Sequence, residues 1–218
     1  MSQVSVVAGY ALWADTWDAT PSPIVALEHR LLLRWIERLH PQRTIDVGCG
    51  TGRWTVRFSA IGIDASPAML RVAGQKPGLR GRLAVADATA LPIATRSADL
   101  ALCTLTLGHI QNQAAALKEI SRILEPGGAL ILTDFHPAAA AQGWRRTFRH
   151  DGQVYELENH PYTLDQLREA APGLVLLEHE EARFGEPERP IFQKAGRPEL
   201  FESVRNTPAV LLTLWRRA

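Results

Sequence analysis

Residues 44–54, Thr44-Ile45-Asp46-Val47-Gly48-Cys49-Gly50-Thr51-Gly52-Arg53-Trp54 (TIDVGCGTGRW), decide the fold. An apolar run carrying one acid, Asp46, opens into three glycines at alternate positions, Gly48, Gly50 and Gly52. A strand that ends in glycines turns tightly and lets its backbone approach a flat ligand that a Cβ would hold off. Thr44–Val47 therefore reads as a buried first strand, and the glycines as the loop that meets the ligand.

The flanks extend this reading. Leu27, Leu31, Leu32, Trp35, Ile36 and Leu39 recur at helical spacing, and Pro41 stops that helix. Ile61–Asp64 is a short second strand. Ser66-Pro67 supplies an N-cap with proline at the first helical position, which predicts a helix over Pro67–Ala73. Leu83–Ala86, Leu100–Thr104 and Ala129–Thr133 read as further strands, and Ala114–Leu124 as a helix ending at Pro126-Gly127-Gly128. Such alternation predicts an α/β fold with a doubly wound, mostly parallel sheet.

The last third changes character. His136–Pro161 reads as irregular, aromatic and locally basic. A capping box, Thr163-x-x-Gln166, opens a helix to about Ala171. Leu174–Glu178 and Ala209–Leu214 read as two closing strands, separated by a stretch (Arg183–Thr207) rich in proline, glycine and charge.

Composition narrows the function classes. A chain of 218 residues with 46% hydrophobic content has room for one α/β domain. No apolar run approaches the ~20 residues of a membrane span. A net charge of +1 gives no general attraction to nucleic acid or anionic lipid. The first residues lack the basic-then-apolar pattern of a signal peptide. Cys49 and Cys103 do not make a disulfide framework, and the seven histidines show no metal spacing. The expectation is a soluble cytoplasmic protein without nucleic-acid, membrane or metal partners.

The glycine stretch is similar to the (D/E)xGxGxG motif of class I S-adenosylmethionine-dependent methyltransferases. The segments ADATALPIATRSADLAL (residues 86–102) and LEPGGALIL (124–132) follow in that family's order, so the resemblance covers roughly Thr44–Phe135. It implies a seven-stranded Rossmann-like sheet with an antiparallel last strand and S-adenosyl-L-methionine as cofactor. By the same resemblance Asp64 accepts the ribose hydroxyls, and Asp87 with the Ala88 N–H holds the adenine. Asp46, Gly48, Cys49, Gly50, Gly52, Ala65 and Met69 complete the cofactor site, and Thr104 presents backbone to the amino-acid end. Tyr10, in Tyr10-x-x-Trp13-x-x-x-Trp17, resembles the aromatic residue that closes over the cofactor in small-molecule methyltransferases.

By the same resemblance His109 is the catalytic candidate, at the position after the fourth strand that faces the sulfonium side of the cofactor, with packing beside the cofactor as its alternative role. A small-molecule acceptor would meet Trp13, Trp17, His136, Arg145 or His160. The chain then divides into a helical lid (1–40), a cofactor-binding core (44–135), a cap insertion (136–161) and the end of the sheet (162–218). The sequence is open to two other readings. Dinucleotide oxidoreductases need GxGxxG, and Arg53 stands where the third glycine would be. A methyltransferase-fold protein that binds the cofactor or its product without transfer is the second.

One spacing departs from the family. Only thirteen residues lie between Val47 and Ile61, near the minimum for a parallel crossover. Arg53–Ser59 can supply only ~10 Å of helix. The first crossover helix is expected to be stunted, with an offset at Asp64.

Overall fold

Strands and helices read from the sequence assemble into one seven-stranded sheet in the computed structural model, which describes residues 2–36 and 38–218. The chain begins with β1 (Ser2–Val4), α1 (Val6–Trp17) and α2 (Pro23–Ile36). The core follows as β2 (Thr44–Val47), α3 (Arg53–Phe58), β3 (Ile61–Asp64), α4 (Pro67–Ala73), β4 (Leu83–Val85) and β5 (Ala98–Thr104). Next come α5 (Gln113–Ile123), β6 (Leu124–Phe135), α6 (Pro137–Ala141), β7 (Thr147–His150) and β8 (Gln153–Leu157). The chain closes with α7 (Leu164–Ala170), β9 (Leu174–Ala182), α8 (Arg189–Lys194), α9 (Leu200–Val204) and β10 (Val210–Arg217).

The sheet order is β4-β3-β2-β5-β6-β10-β9. Pairs among β2 to β6 are parallel, whereas β10 runs antiparallel to both β6 and β9. This is the sheet that the resemblance implied, with the antiparallel strand last in sequence.

Alternation along the central strands sends side chains to two cores. Ala101 and Cys103 of β5 join Leu117 and Ile120 of α5 and Leu167 of α7 on one face. Leu100 and Leu102 face the other way, onto Leu27, Leu31 and Trp35 of α2 and the aromatic rings of Phe192 and Phe201. Helix α3 has six residues, the short length that the crossover spacing demands.

Two regions are more ordered than their sequences suggested. His136–Pro161 holds α6 and a β7–β8 hairpin turning at Asp151-Gly152, both with positive φ (47° and 76°). An Asp-Gly pair in that conformation is the two-residue turn that matches strand twist. The N-terminal β1 adds to β8 in parallel, so the start of the chain and the β7–β8 hairpin share a three-stranded sheet. Arg183–Thr207 contains α8 and α9, anchored by Phe192 and Phe201 and laced by Arg189 to Glu186 and Glu202.

Candidate functional site

Strand order reverses between β2 and β5, the position where open α/β sheets bind ligands. A cavity of about 430 Å³ opens there at the carboxyl ends of β2 to β5. Its volume falls within the usual range for small-molecule sites.

The glycine loop forms its floor. The N–H groups of Gly48 and Cys49 both donate to the Ile63 carbonyl, at 2.7 and 3.0 Å, which ties the loop to β3. Asp64 closes the arrangement: its Oδ2 accepts from the Gly50 N–H and its Oδ1 from the Ser66 N–H, both at 2.8 Å. The shortened crossover therefore still delivers Asp64 to the loop. Burial raises the Asp64 pKa, while the two backbone donors oppose that shift. Each carboxylate oxygen retains a lone pair for a further donor such as a sugar hydroxyl.

The three glycines do different work. A Cβ on Gly48 would meet Thr106 Cγ2 at 2.1 Å, and one on Gly52 would meet Leu79 Cδ1 at 2.5 Å. Packing leaves no room for a side chain at either position, and Gly48 also borders the cavity. A Cβ on Gly50 would meet nothing nearer than Met69 Cε at 3.3 Å, and Gly50 borders the cavity.

Cys49, Ala65, Met69, Asp87, Ala88 and Thr104 also line the cavity, but Asp46 and Gly52 do not. Asp46 lies buried behind the loop, accepting from Thr55 Oγ1 at 2.6 Å. Its pKa is pushed up to about 6 by burial, with the Thr55 hydroxyl pulling the other way. Asp87 is exposed and shapes its own turn, one oxygen accepting from the Thr89 N–H and hydroxyl at 2.7 Å each. Burial pushes both cysteine thiols far up, which disfavours their thiolate forms.

The lid crosses the cavity mouth. Tyr10 and Trp17 line the cavity from α1. The end of α1 is latched to the loop: Thr51 Oγ1 donates to Asp18 Oδ1 at 2.6 Å, and Lys76 Nζ sits 2.7 Å from Asp18 Oδ2. His109 lines the cavity from the 3-10 turn after β5. Its Nδ1 is 2.8 Å from the Glu158 carbonyl, which can only accept, so Nδ1 carries the proton. Nε2 is then the acceptor for the Tyr10 hydroxyl at 2.9 Å. Burial, then the Arg146 charge, holds His109 well below its usual pKa and therefore neutral.

A second cavity of about 880 Å³ lies between β1, α6 and the hairpin, bordered by Trp144, Arg145, Glu156 and Asn159. Lining residues of the two cavities touch directly, His109 to the Glu158 carbonyl and Arg146 Nη2 to the Leu105 carbonyl (2.9 Å). Arg146 is fixed by buried Asp134 at 2.8 Å, and Arg145 pairs with Glu156 at 3.5 Å. The remaining acceptor candidates have structural contacts. Trp13 stacks on Phe148 with centroids 4.7 Å apart. His136 caps α6 by accepting from the Ala138 N–H, and His160 sits 3.1 Å from Glu158.

Sequence reasoning passed over Thr51, Arg53, Leu105 and Thr106, all of which border the first cavity. Arg53 had a legible signal, being a cation directly after the last loop glycine. For Leu105 (φ 54°) and Thr106 no local pattern marks the turn.

Comparison with known proteins agrees with this geometry. Residues 45–132 match the family model described as a methyltransferase domain. Malonyl-[acyl-carrier protein] O-methyltransferase 1 of Coxiella burnetii is 31% identical over 73% of this chain and 58% of its own. The demethylmenaquinone methyltransferase of Deinococcus radiodurans is 33% identical over 46% of each chain. The chain spans about half the length of the curated relatives it matches. Among solved structures, an S-adenosylmethionine-dependent methyltransferase from Mesorhizobium loti superposes with a TM-score of 0.68 at 22% identity, covering 90% of this chain and 100% of that one. Sheet order, glycine loop and matched segment agree: residues 45–132 match the methyltransferase-domain model, on the fold of S-adenosylmethionine-dependent methyltransferases.

Proposed function

We propose that the protein is an enzyme that moves a methyl group from S-adenosyl-L-methionine to a small-molecule acceptor in the cytoplasm, as a single domain. The observation that carries this reading is the pairing of Asp64 with the Gly50 N–H at the floor of the switch-point cavity. The residues fit the cofactor. Gly50 leaves open the space that a Cβ would fill, Asp64 keeps lone pairs for the ribose diol, and Asp87 with Ala88 stands where the adenine edge would lie.

When bound, the cofactor supplies an electrophilic methyl on a leaving group already charged. The protein's share is alignment and exclusion of water, an orientation effect worth several kcal/mol. Tyr10 and Trp17 cover the cavity, and Thr104 lies at the end of β5 beside it. His109 is the catalytic candidate: a neutral imidazole whose Nε2 accepts a proton once an acceptor hydroxyl or amine replaces the Tyr10 hydroxyl as its donor. The acceptor approaches from the Trp17 side or from the second cavity, where Arg145 is exposed.

A second reading, cofactor binding without transfer, draws on the engagement of His109 Nε2 by Tyr10. Incubation with labelled S-adenosylmethionine and an acceptor panel, read by mass spectrometry, separates the two. Methylated product supports transfer. Cofactor binding with no product across chemically diverse phenols, amines, thiols and carboxylates would favour the second reading.

A further inference from the structure

Arg53 follows the last loop glycine, lines the cofactor cavity, and is held by a buried carboxylate. Glu28 on α2 is fully buried. Its Oε1 accepts from Trp54 Nε1 at 3.3 Å and from Thr133 Oγ1 at 3.2 Å. Its Oε2 lies 2.8 Å from Arg53 Nη2, at an angle that makes an ion contact rather than a hydrogen bond. The guanidinium lies over the Trp54 ring, 4.7 Å from its centroid, and Nη1 sits 3.4 Å from His29 Nδ1. Three neighbours thus fix one cation in place, while its side chain stays 27% exposed.

A buried carboxylate is costly unless it is paired, and a long flexible cation loses entropy when it is clamped. Both costs are explicable if the clamped cation has a ligand. Strand order gives the direction. Asp87 follows β4 and Asp64 ends β3, whereas Glu28 reaches across to Thr133 on β6. Adjacent strands are ~4.8 Å apart, so an extended nucleoside running from β4 over β3 brings its far end to β2 and β5. Among the described charged side chains bordering the cavity, Asp64 and Asp87 are anionic and Arg53 is cationic.

We infer that Arg53 binds the carboxylate at the amino-acid end of the cofactor, with Glu28 as the residue that positions it; this rests on the cofactor reading above. An arginine presents several N–H donors and matches a carboxylate in plane, so contact with Glu28 leaves others for the ligand. The amino-acid end is zwitterionic, and its ammonium keeps the local charge balanced beside Glu28.

The test is calorimetric titration of two ligands that differ only in that end. S-adenosylhomocysteine carries the amino acid, and 5′-deoxy-5′-methylthioadenosine lacks it. Titrations use the wild type, Arg53→Lys, Arg53→Gln, and Arg53→Gln combined with Glu28→Gln, the last avoiding an unpaired buried charge. Arg53→Gln is expected to weaken the homocysteine ligand about 10- to 100-fold, with the truncated ligand changed less than about 3-fold. Arg53→Lys should fall between. Retained affinity for the truncated ligand shows that each variant is folded. Equal losses on both ligands, or no loss on the longer one, would overturn the inference while leaving the cofactor reading intact. A wild type that binds neither ligand would overturn both.

Discussion

The hydroxyl of Tyr10 lies 2.9 Å from Nε2 of His109, joining the N-terminal helix to the turn after β5 across the cavity mouth. The two rings also meet edge to face, with centroids 5.4 Å apart. Trp13 and Trp17 pack against the same tyrosine. The lid is therefore an aromatic cluster with one polar fastening, aimed at the catalytic candidate.

Removing that fastening should loosen the lid and little else. Tyr10→Phe deletes a hydrogen bond worth about 0.5–1.5 kcal/mol. Hydrogen exchange of α1 amides should quicken several-fold, with β5 and β6 unchanged. Unaltered exchange in α1 would mean that the stacking alone holds the lid.

His109 makes the same contact sensitive to acid. Its folded pKa is depressed, chiefly by burial. Above about pH 6.5 the ring is neutral folded or unfolded, and no penalty exists. As pH falls below that, the unfolded chain takes up a proton that the buried ring refuses, so stability declines toward the folded pKa. His109→Gln should flatten this decline in thermal melts below about pH 6.5. A slope identical to that of the wild type would contradict the assignment.

Asp46 acts in the opposite sense. Raised from 3.8 to about 6, it contributes stability that is full below 3.8 and lost as pH rises through 6. At neutral pH it is a buried anion whose Oδ1 has no partner. Asp46→Asn keeps an acceptor for Thr55 and removes the charge. It should stabilise the protein by about 1–3 kcal/mol at pH 7.5, and by almost nothing near pH 4. Melting curves at the two pH values decide; a gain of equal size at both would refute this account of the charge.

Gly48 and Gly50 should respond differently to the same methyl group. Both have positive φ, 72° and 55°, a backbone penalty for alanine of about 1–2 kcal/mol. Gly48→Ala adds a clash with Thr106, so it should unfold or aggregate. Gly50→Ala should fold and lose cofactor affinity. Soluble expression and melting compare the pair, and a stable Gly48→Ala would show that the loop can shift.

Legibility of the sequence follows from locality. Val47 into Gly48-Cys49-Gly50 and Asp64 before Ser66-Pro67 are local patterns, and each appears where the spacing put it, whereas Pro126-Gly127-Gly128, read as the stop before the strand, lies inside β6. The antiparallel last strand came from resemblance. Asp151-Gly152 was a readable hairpin signal inside a segment taken as irregular, because its strands, Thr147–His150 and Gln153–Leu157, are short and rich in polar residues. The pairing of Ser2–Val4 with β8, and of Tyr10 with His109, joins residues about a hundred or more apart, and no periodicity encodes either. At the site, Gly50, Asp64, Asp87 and Ala88 were found by motif, but Thr51 and Arg53 were not. Leu105 and Thr106, which border it beside a strained turn, were not.

The most direct measurement is calorimetric titration of S-adenosylhomocysteine into the purified protein, with NAD as the comparison ligand. The account predicts one-to-one binding with a micromolar or lower Kd, and none for NAD. Absence of binding to S-adenosylhomocysteine in folded protein, or tighter binding of NAD, would contradict it.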